Sequence, residues 1–313
     1  PCAGQRWPKQ REHQEKSGQT THGFVLGKRM REANIAASTL FNFRDMLTAF
    51  DLPRLWPLLA ALAASPAAAL EWSATEIELL HSSRFREPFN PNDVTKQIVT
   101  LQHANGYALG RNFMFVDLIQ SGNQERDALG NPESPTEIYA EAYTTLSLSR
   151  LSGRSLAAGP LRDVGLTAGL NIGAKDSAFN PEPRIYLAGL TLDFAVPRGF
   201  FNLDLLGYWD HGCNAGGCPG YRGSYQITPS WSIPFSLGGV DAEFAGFIDY
   251  IGARGAGTSH QMLSQPQLRF DIGKPFGHKG QLYAGVEYQY WRNKLGVAGL
   301  DESHPQLLLA WKF

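Results

Sequence analysis

Carboxylates, a few cations and aromatic rings recur along this sequence at every second position, which places them on one face of an extended chain. The densest run is Arg111, Phe113, Phe115 and Asp117, followed by Tyr139, Glu141 and Tyr143. Asp193, Asp204, Tyr208, Glu243, Phe247, Arg269 and Glu287 carry the pattern toward the end of the chain. Rings stack on flat heterocycles, and ionisable groups hydrogen-bond the hydroxyls and ring edges of a polar solute. A plain ion pore needs charge without rings, and a fatty-acid carrier needs an apolar wall. The mixture suits a small polar, planar, neutral or weakly cationic molecule, and these residues are the expected solute-binding wall. Glu76, Glu78, Glu137, Asp241, Asp249, Asp271, Lys175, Arg222, Tyr283 and Trp291 share the same face by parity. At least half of the charged groups are expected to pair with each other across strands.

Covalent chemistry is not indicated. No His/Cys/Asp cluster has metal-ligand spacing, no glycine-rich loop precedes a helix and no carboxylate dyad stands apart, so no catalytic residue, metal or cofactor is assigned. His81-Ser82-Ser83 is an adjacent His/Ser cluster, and it reads as a solvated turn at a strand end. Cys213 and Cys218 lie in the glycine-rich stretch HGCNAGGCPGY and form an even pair in an exported chain, so a disulfide is expected. Metal binding by this pair with His211 lacks a visible fourth ligand.

The elements that would position the wall are strands. From Glu71 onward the chain alternates in polarity over segments of about ten residues, separated by Gly, Pro, Asn and Asp clusters. Twelve strands are predicted: 72–80, 96–104, 107–120, 137–150, 164–175, 185–196, 200–210, 221–234, 240–251, 261–273, 281–293 and 304–313. Asn105-Gly106 is the expected tight turn of the second hairpin. The connections alternate long and short, except for a medium one at 151–163.

The opposite face supplies Met114, Val116, Leu118, Ile138, Leu146, Leu148, Leu166, Leu170, Ile172, Leu190, Leu192, Phe194, Phe201, Leu203 and Leu205. Tyr225, Trp231, Phe244, Tyr250, Tyr288, Tyr290 and Trp311 are expected at the rims of that surface. The last segment, HPQLLLAWKF, would be a sticky edge unless another strand covered it, and closure against the first strand covers it fully. The expected fold is therefore an all-β, antiparallel up-and-down barrel of twelve strands, apolar outside and polar inside, spanning a membrane. Such a width suits one small solute at a time.

The front of the chain reads differently. Arg54 precedes Leu55–Leu70, an apolar stretch ending in Pro66-Ala67-Ala68-Ala69, the order of a secretory signal peptide. Residues 1–45 are expected to be unstructured or untranslated sequence upstream of a start at Met46 or Met30, with 46–69 the signal peptide and 70–313 the barrel. A net charge of -1 gives no basic field, so nucleic acid is not an expected partner. The chain has no run of about twenty apolar residues, which argues against a helical membrane protein.

The runs YALGRNFMFVDL, EIYAEAYTTLSLSRLSG at 137–153, YLAGLTLDF at 186–194 and the terminal LLLAWKF resemble the nucleoside-specific channel-forming Tsx family of Gram-negative outer-membrane proteins. That resemblance implies a twelve-stranded monomeric barrel in the outer membrane, with a narrow pore for passive diffusion of nucleosides. The implied partners are the nucleoside, the bilayer with its lipopolysaccharide, and the barrel-insertion machinery, which would read the aromatic Phe313. Two rivals stand beside it: an outer-membrane lipid-active enzyme of the Ser/His kind, and a non-conducting structural or adhesive barrel.

Overall fold

A computed structural model describes residues 70–313, so the expectations for 1–45 and 46–69 lie outside the described residues. Twelve antiparallel strands form one closed barrel. They are β1 Trp72–Phe85, β2 Val94–Tyr107, β3 Gly110–Ser121, β4 Thr136–Ser147, β5 Leu161–Lys175 and β6 Arg184–Phe194. The second half comprises β7 Phe200–Asp210, β8 Ser224–Leu237, β9 Val240–Ile251, β10 in two pieces (Gln261–Ser264 and Gln267–Asp271), β11 Leu282–Arg292 and β12 Glu302–Lys312. Each strand pairs with its neighbours in sequence. β1 closes on β12 in the register Ile77↔Trp311 and Leu79↔Leu309, which covers the terminal edge as its composition requires.

Several boundaries differ from expectation for physical reasons. The second hairpin turns at Ala108-Leu109, because Asn105 and Gly106 stay in the ladder opposite Asn112 and Arg111. Gly106 is there for space: a Cβ at this position would collide with the Trp72 indole. The fourth strand ends at Ser147 instead of 150. The Ser147 hydroxyl accepts from the Arg150 backbone N–H at 3.1 Å, starting a short helix α1, Leu148–Ser152, which Gly153 closes in the left-handed conformation (φ 67°). The eighth strand starts at Ser224, not 221, leaving Arg222 exposed in the loop and off the barrel wall. The tenth strand keeps one register across its two pieces, and the ladder lapses where Pro266 has no N–H to donate.

Outward side chains form an apolar surface that includes Leu166, Leu170, Leu190, Leu205, Val286 and Leu309. Aromatic rings sit at both rims of it. Tyr186, Trp209, Tyr225, Tyr250, Tyr288 and Tyr290 lie near the long-loop end, and Trp72, Phe194, Phe201, Trp231, Phe244 and Trp311 near the short-turn end. Tyr225 and Tyr250 are 6.2 Å apart, and Trp231 and Phe244 5.5 Å. The polarity of a soluble protein is thereby inverted. The buried side chains are mostly polar, with His304 and Gln306 fully enclosed. Small apolar clusters, such as Leu80, Phe85, Val94, Ile98 and Leu308, fill the gaps at one side of the interior.

Candidate functional site

The inner wall is assembled by strand parity. Even positions of β1, β2, β7, β8 and β12, and odd positions of β3 to β6, β9, β10 and β11, face inward. Every residue of the expected wall from Arg111 to Glu287 lies on that face. The wall sorts into three levels.

At the short-turn end, Arg269 is held by Glu76, by Glu78 at 3.0 Å and by Glu243 at 3.2 Å. Lys312 joins Glu243 at 2.5 Å and lies 4.7 Å from the Tyr283 ring centre. Arg111 makes two hydrogen bonds, 2.7 and 2.6 Å, to the Asp193 carboxylate, a chord that reaches past β4 and β5. Asp271 does not contribute to the wall chemistry, because its carboxylate accepts the backbone N–H groups of Gly273 and Gly280 and so fixes the β10–β11 turn. Asp241 pairs at the mouth with Lys279, at 3.1 Å.

At mid-depth, Phe113, Phe115 and Tyr139 form a ladder of rings with centroids 6.2 and 6.1 Å apart. Beside it the Glu141 carboxylate accepts from the Tyr139 hydroxyl at 2.7 Å, the Tyr143 hydroxyl at 3.0 Å and the Asn171 amide at 2.8 Å. Asp117 accepts from Thr100, Asp204 from Thr191, and Asp249 from Thr228 and Gln226. Glu287 accepts from Gln265, Gln267 and Gln306. These carboxylates are dressed by neutral donors, whereas Glu76, Glu78, Asp193 and Glu243 at one end and Glu87, Glu125 and Glu302 at the other are dressed by cations. Tyr208 packs with Ile185, Leu187 and Leu206, and the Phe247 carbonyl accepts the Gln265 N–H beside the Pro266 interruption.

At the long-loop end the interior is capped. Glu87, from the β1–β2 connection, meets Lys96 of β2 at 2.5 Å, Lys175 of β5 at 3.0 Å and Lys294 of the β11–β12 connection at 3.1 Å. Burial pushes the Glu87 carboxyl up, but the ammonium groups of Lys294, Lys96 and Lys175 outweigh it and hold the group well below the usual carboxylate range. Glu125 also reaches Lys175, and Glu302 takes Lys294 at 3.0 Å. Arg254 contacts Asp210 and stands 4.8 Å from the Tyr221 ring centre.

Exposure follows the same axis. Phe113 is 39% exposed, and the Lys312 and Arg111 side chains 29% and 28%, whereas Lys96, Lys175 and Lys294 show only 5–6%. Water therefore reaches the ring ladder, whereas the lysine cluster at the long-loop end is buried. Parity alone could have placed Lys96 and Glu302 on the wall. Glu87, Glu125 and Lys294 carry no such signal, because they sit in connections.

His81-Ser82-Ser83 is not a turn. β1 continues to Phe85, so His81 faces out and Ser82 faces in and the two cannot act together. Ser82 instead meets His304 Nδ1 at 3.0 Å, with Glu302 3.5 Å from His304 Nε2. The order of groups resembles a hydrolase relay, but His304 and Glu302 have no exposed side-chain surface and Ser82 is 6% exposed, so a substrate has no access. Cys213 and Cys218 are joined in a disulfide on the β7–β8 connection. No group of three or more His, Cys, Asp or Glu side chains among the described residues is arranged to hold a metal ion.

No protein-family model matches this sequence, and neither does any curated protein. Among solved structures, the chain is similar to the KdgM porin over 76% of its own length and 99% of that chain, at 9% identity and a TM-score of 0.37. It is similar to the translocator domain of the autotransporter NalP from Neisseria meningitidis over 87% and 98%, at 10% identity and a TM-score of 0.35. It is also similar to Pseudomonas aeruginosa OccK11 (OpdR) over 77% and 95%, at 10% identity and a TM-score of 0.34.

Proposed function

We propose that this protein is an outer-membrane channel through which small polar solutes diffuse passively, and that nucleosides are the solute class. The reading rests on the ring ladder Phe113–Phe115–Tyr139 standing beside the Glu141, Tyr143 and Asn171 cluster. A nucleoside presents a flat, weakly polar ring and a sugar rich in hydroxyls. The ladder offers π-faces to the ring, and the carboxylate and amide offer acceptors and donors to the sugar. An apolar exterior with rings at both rims supports a bilayer setting, since a closed barrel satisfies every backbone group internally.

Nothing covalent is required of such a pore. The solute exchanges water for ring stacking and carboxylate hydrogen bonds at mid-depth, then leaves because each contact is individually weak. The test is planar-bilayer recording with the purified barrel. Adenosine or thymidine should block the current and glucose should not. A barrel whose current ignores all three is a general pore, and one that never conducts is structural.

A further inference from the structure

We infer that the β1–β2 connection, residues 86–93, is a plug held shut across the long-loop mouth by the Glu87 carboxylate. The inference rests on the channel reading and concerns how that same conduit is opened. Around a ring of twelve strands, β5 and the β11–β12 connection stand on opposite walls. Glu87 Oε2 takes Lys175 from one of these walls at 3.0 Å, and Oε1 takes Lys294 from the other at 3.1 Å. One side chain therefore spans the mouth, with Lys96 of the intervening wall completing the coordination at 2.5 Å. A loop that merely lay over the rim could not reach both walls.

The rest of the segment is anchored to match. The Arg86 N–H donates to Glu302 at 2.7 Å, and the Arg86 carbonyl accepts from Lys294 Nζ at 2.7 Å. Asn90 is 5% exposed, and its side-chain amide donates to the Gln124 carbonyl at 2.9 Å, tying the plug to the β3–β4 connection. Phe89 adopts φ 64°, a strained conformation for a residue with a side chain, and its ring meets Phe179 of the β5–β6 connection at 6.1 Å. Such strain persists only where neighbours over-determine it. The segment is therefore held in place by charge and hydrogen bonds, and Glu87 is the member common to the three ammonium groups.

A latch of this kind has two states because its attraction is concentrated in one carboxylate. With Glu87 in place the mouth is bridged. Without it, Lys175 keeps Glu125 and Lys294 keeps Glu302, but no group among the described residues joins the two walls, and the loop is retained by the Arg86 and Asn90 hydrogen bonds alone.

The test uses the full barrel with Cys2→Ser and Asn90→Cys, giving one free thiol on the plug, and a membrane-impermeant maleimide as the probe. Adding Glu87→Gln should speed labelling of Cys at position 90 by at least about tenfold and raise the open fraction in bilayer recordings. Equal labelling rates in the two backgrounds overturn the latch whatever the current does. Faster labelling with no current in either background leaves the latch standing and overturns the channel reading. Retained migration of the unboiled barrel in detergent gels shows that each variant is folded. If Glu87→Gln does not fold, Lys294→Met, which removes only one wall's anchor, is read in the same way.

Discussion

Replacing Arg269 by methionine should destabilise the barrel by leaving a buried carboxylate without its cation. The guanidinium sits among Glu76, Glu78 and Glu243, whose side chains are only 10%, 5% and 9% exposed. Lys312 remains 2.5 Å from Glu243 and 3.7 Å from Glu76, so both keep a cation in the variant. Glu78 does not, and retains only the amides of Gln102 and Gln267, each at 3.1 Å. Breaking a buried pair costs roughly 3–5 kcal/mol, and the two amides place this case at the lower end, at about 3 kcal/mol. With a urea dependence of about 3 kcal/mol per molar, the unfolding midpoint falls by about 1 M. Tryptophan fluorescence in detergent micelles reads it, since the chain carries seven Trp residues. Glu78→Gln in the Arg269→Met background should restore at least about half of the loss, because it removes the orphaned charge and keeps the shape. A single variant within about 0.5 kcal/mol of the parent, or a double variant no better than the single, would refute the reasoning.

Further tests address the wall and the mouth. Phe115→Ala removes the middle ring of the ladder and should weaken nucleoside block by about 1–3 kcal/mol, read as the half-blocking concentration. An unchanged value would place the solute elsewhere. Converting Asp117, Glu141, Asp249 and Glu287 to their amides removes four of the five mid-depth carboxylates dressed by neutral donors, and the reversal potential in a salt gradient should move from cation-selective toward unselective. The latch has a pH window. Its carboxylate ionises well below the usual range, so its contribution is fully present above the ordinary carboxylate value of 4.5 and fades as pH falls through the depressed one. Lys294 is lowered by burial but raised more by Glu87 and Glu302, so its contribution is fully present below the ordinary lysine value of 10.5 and fades only as pH rises past it. The charged groups facing Glu87 are Lys96, Lys175 and Lys294, with Glu125, Glu137 and Glu302 behind them. The ratio of labelling rates with and without Glu87→Gln, taken at each pH so that the thiol's own ionisation cancels, should accordingly stay high from about pH 5 to 10 and fall toward one outside it.

Strand count, facing and closure were legible because a period of two survives small errors in boundaries. Phe113, Phe115 and Asp117 point inward whether the strand starts at 107 or at Gly110. The turn at Ala108-Leu109 was not legible, because Asn-Gly has turn chemistry, whereas the pairing of Asn105 and Gly106 with Ser73 and Trp72 on one side and Asn112 and Arg111 on the other comes from the neighbouring strands. Arg222 lies off the wall, although alternation in the sequence runs on through Tyr221 and Gly223, because Pro219 and Gly220 (φ 67°) keep that segment out of the sheet. Partnership was the least legible property. Nothing local marks Glu87, since its meaning comes from lysines 9, 88 and 207 residues away that only closure of the barrel brings together. The same closure turned Ser82 toward His304, across 222 residues, and away from the adjacent His81.

The channel reading is tested most directly by the single-channel current of the purified barrel, recorded for the parent protein and for Glu87→Gln with and without adenosine. The account predicts discrete openings that are more frequent in Glu87→Gln, and block by adenosine in both. Silent bilayers with both proteins, each migrating as a folded barrel, would contradict it.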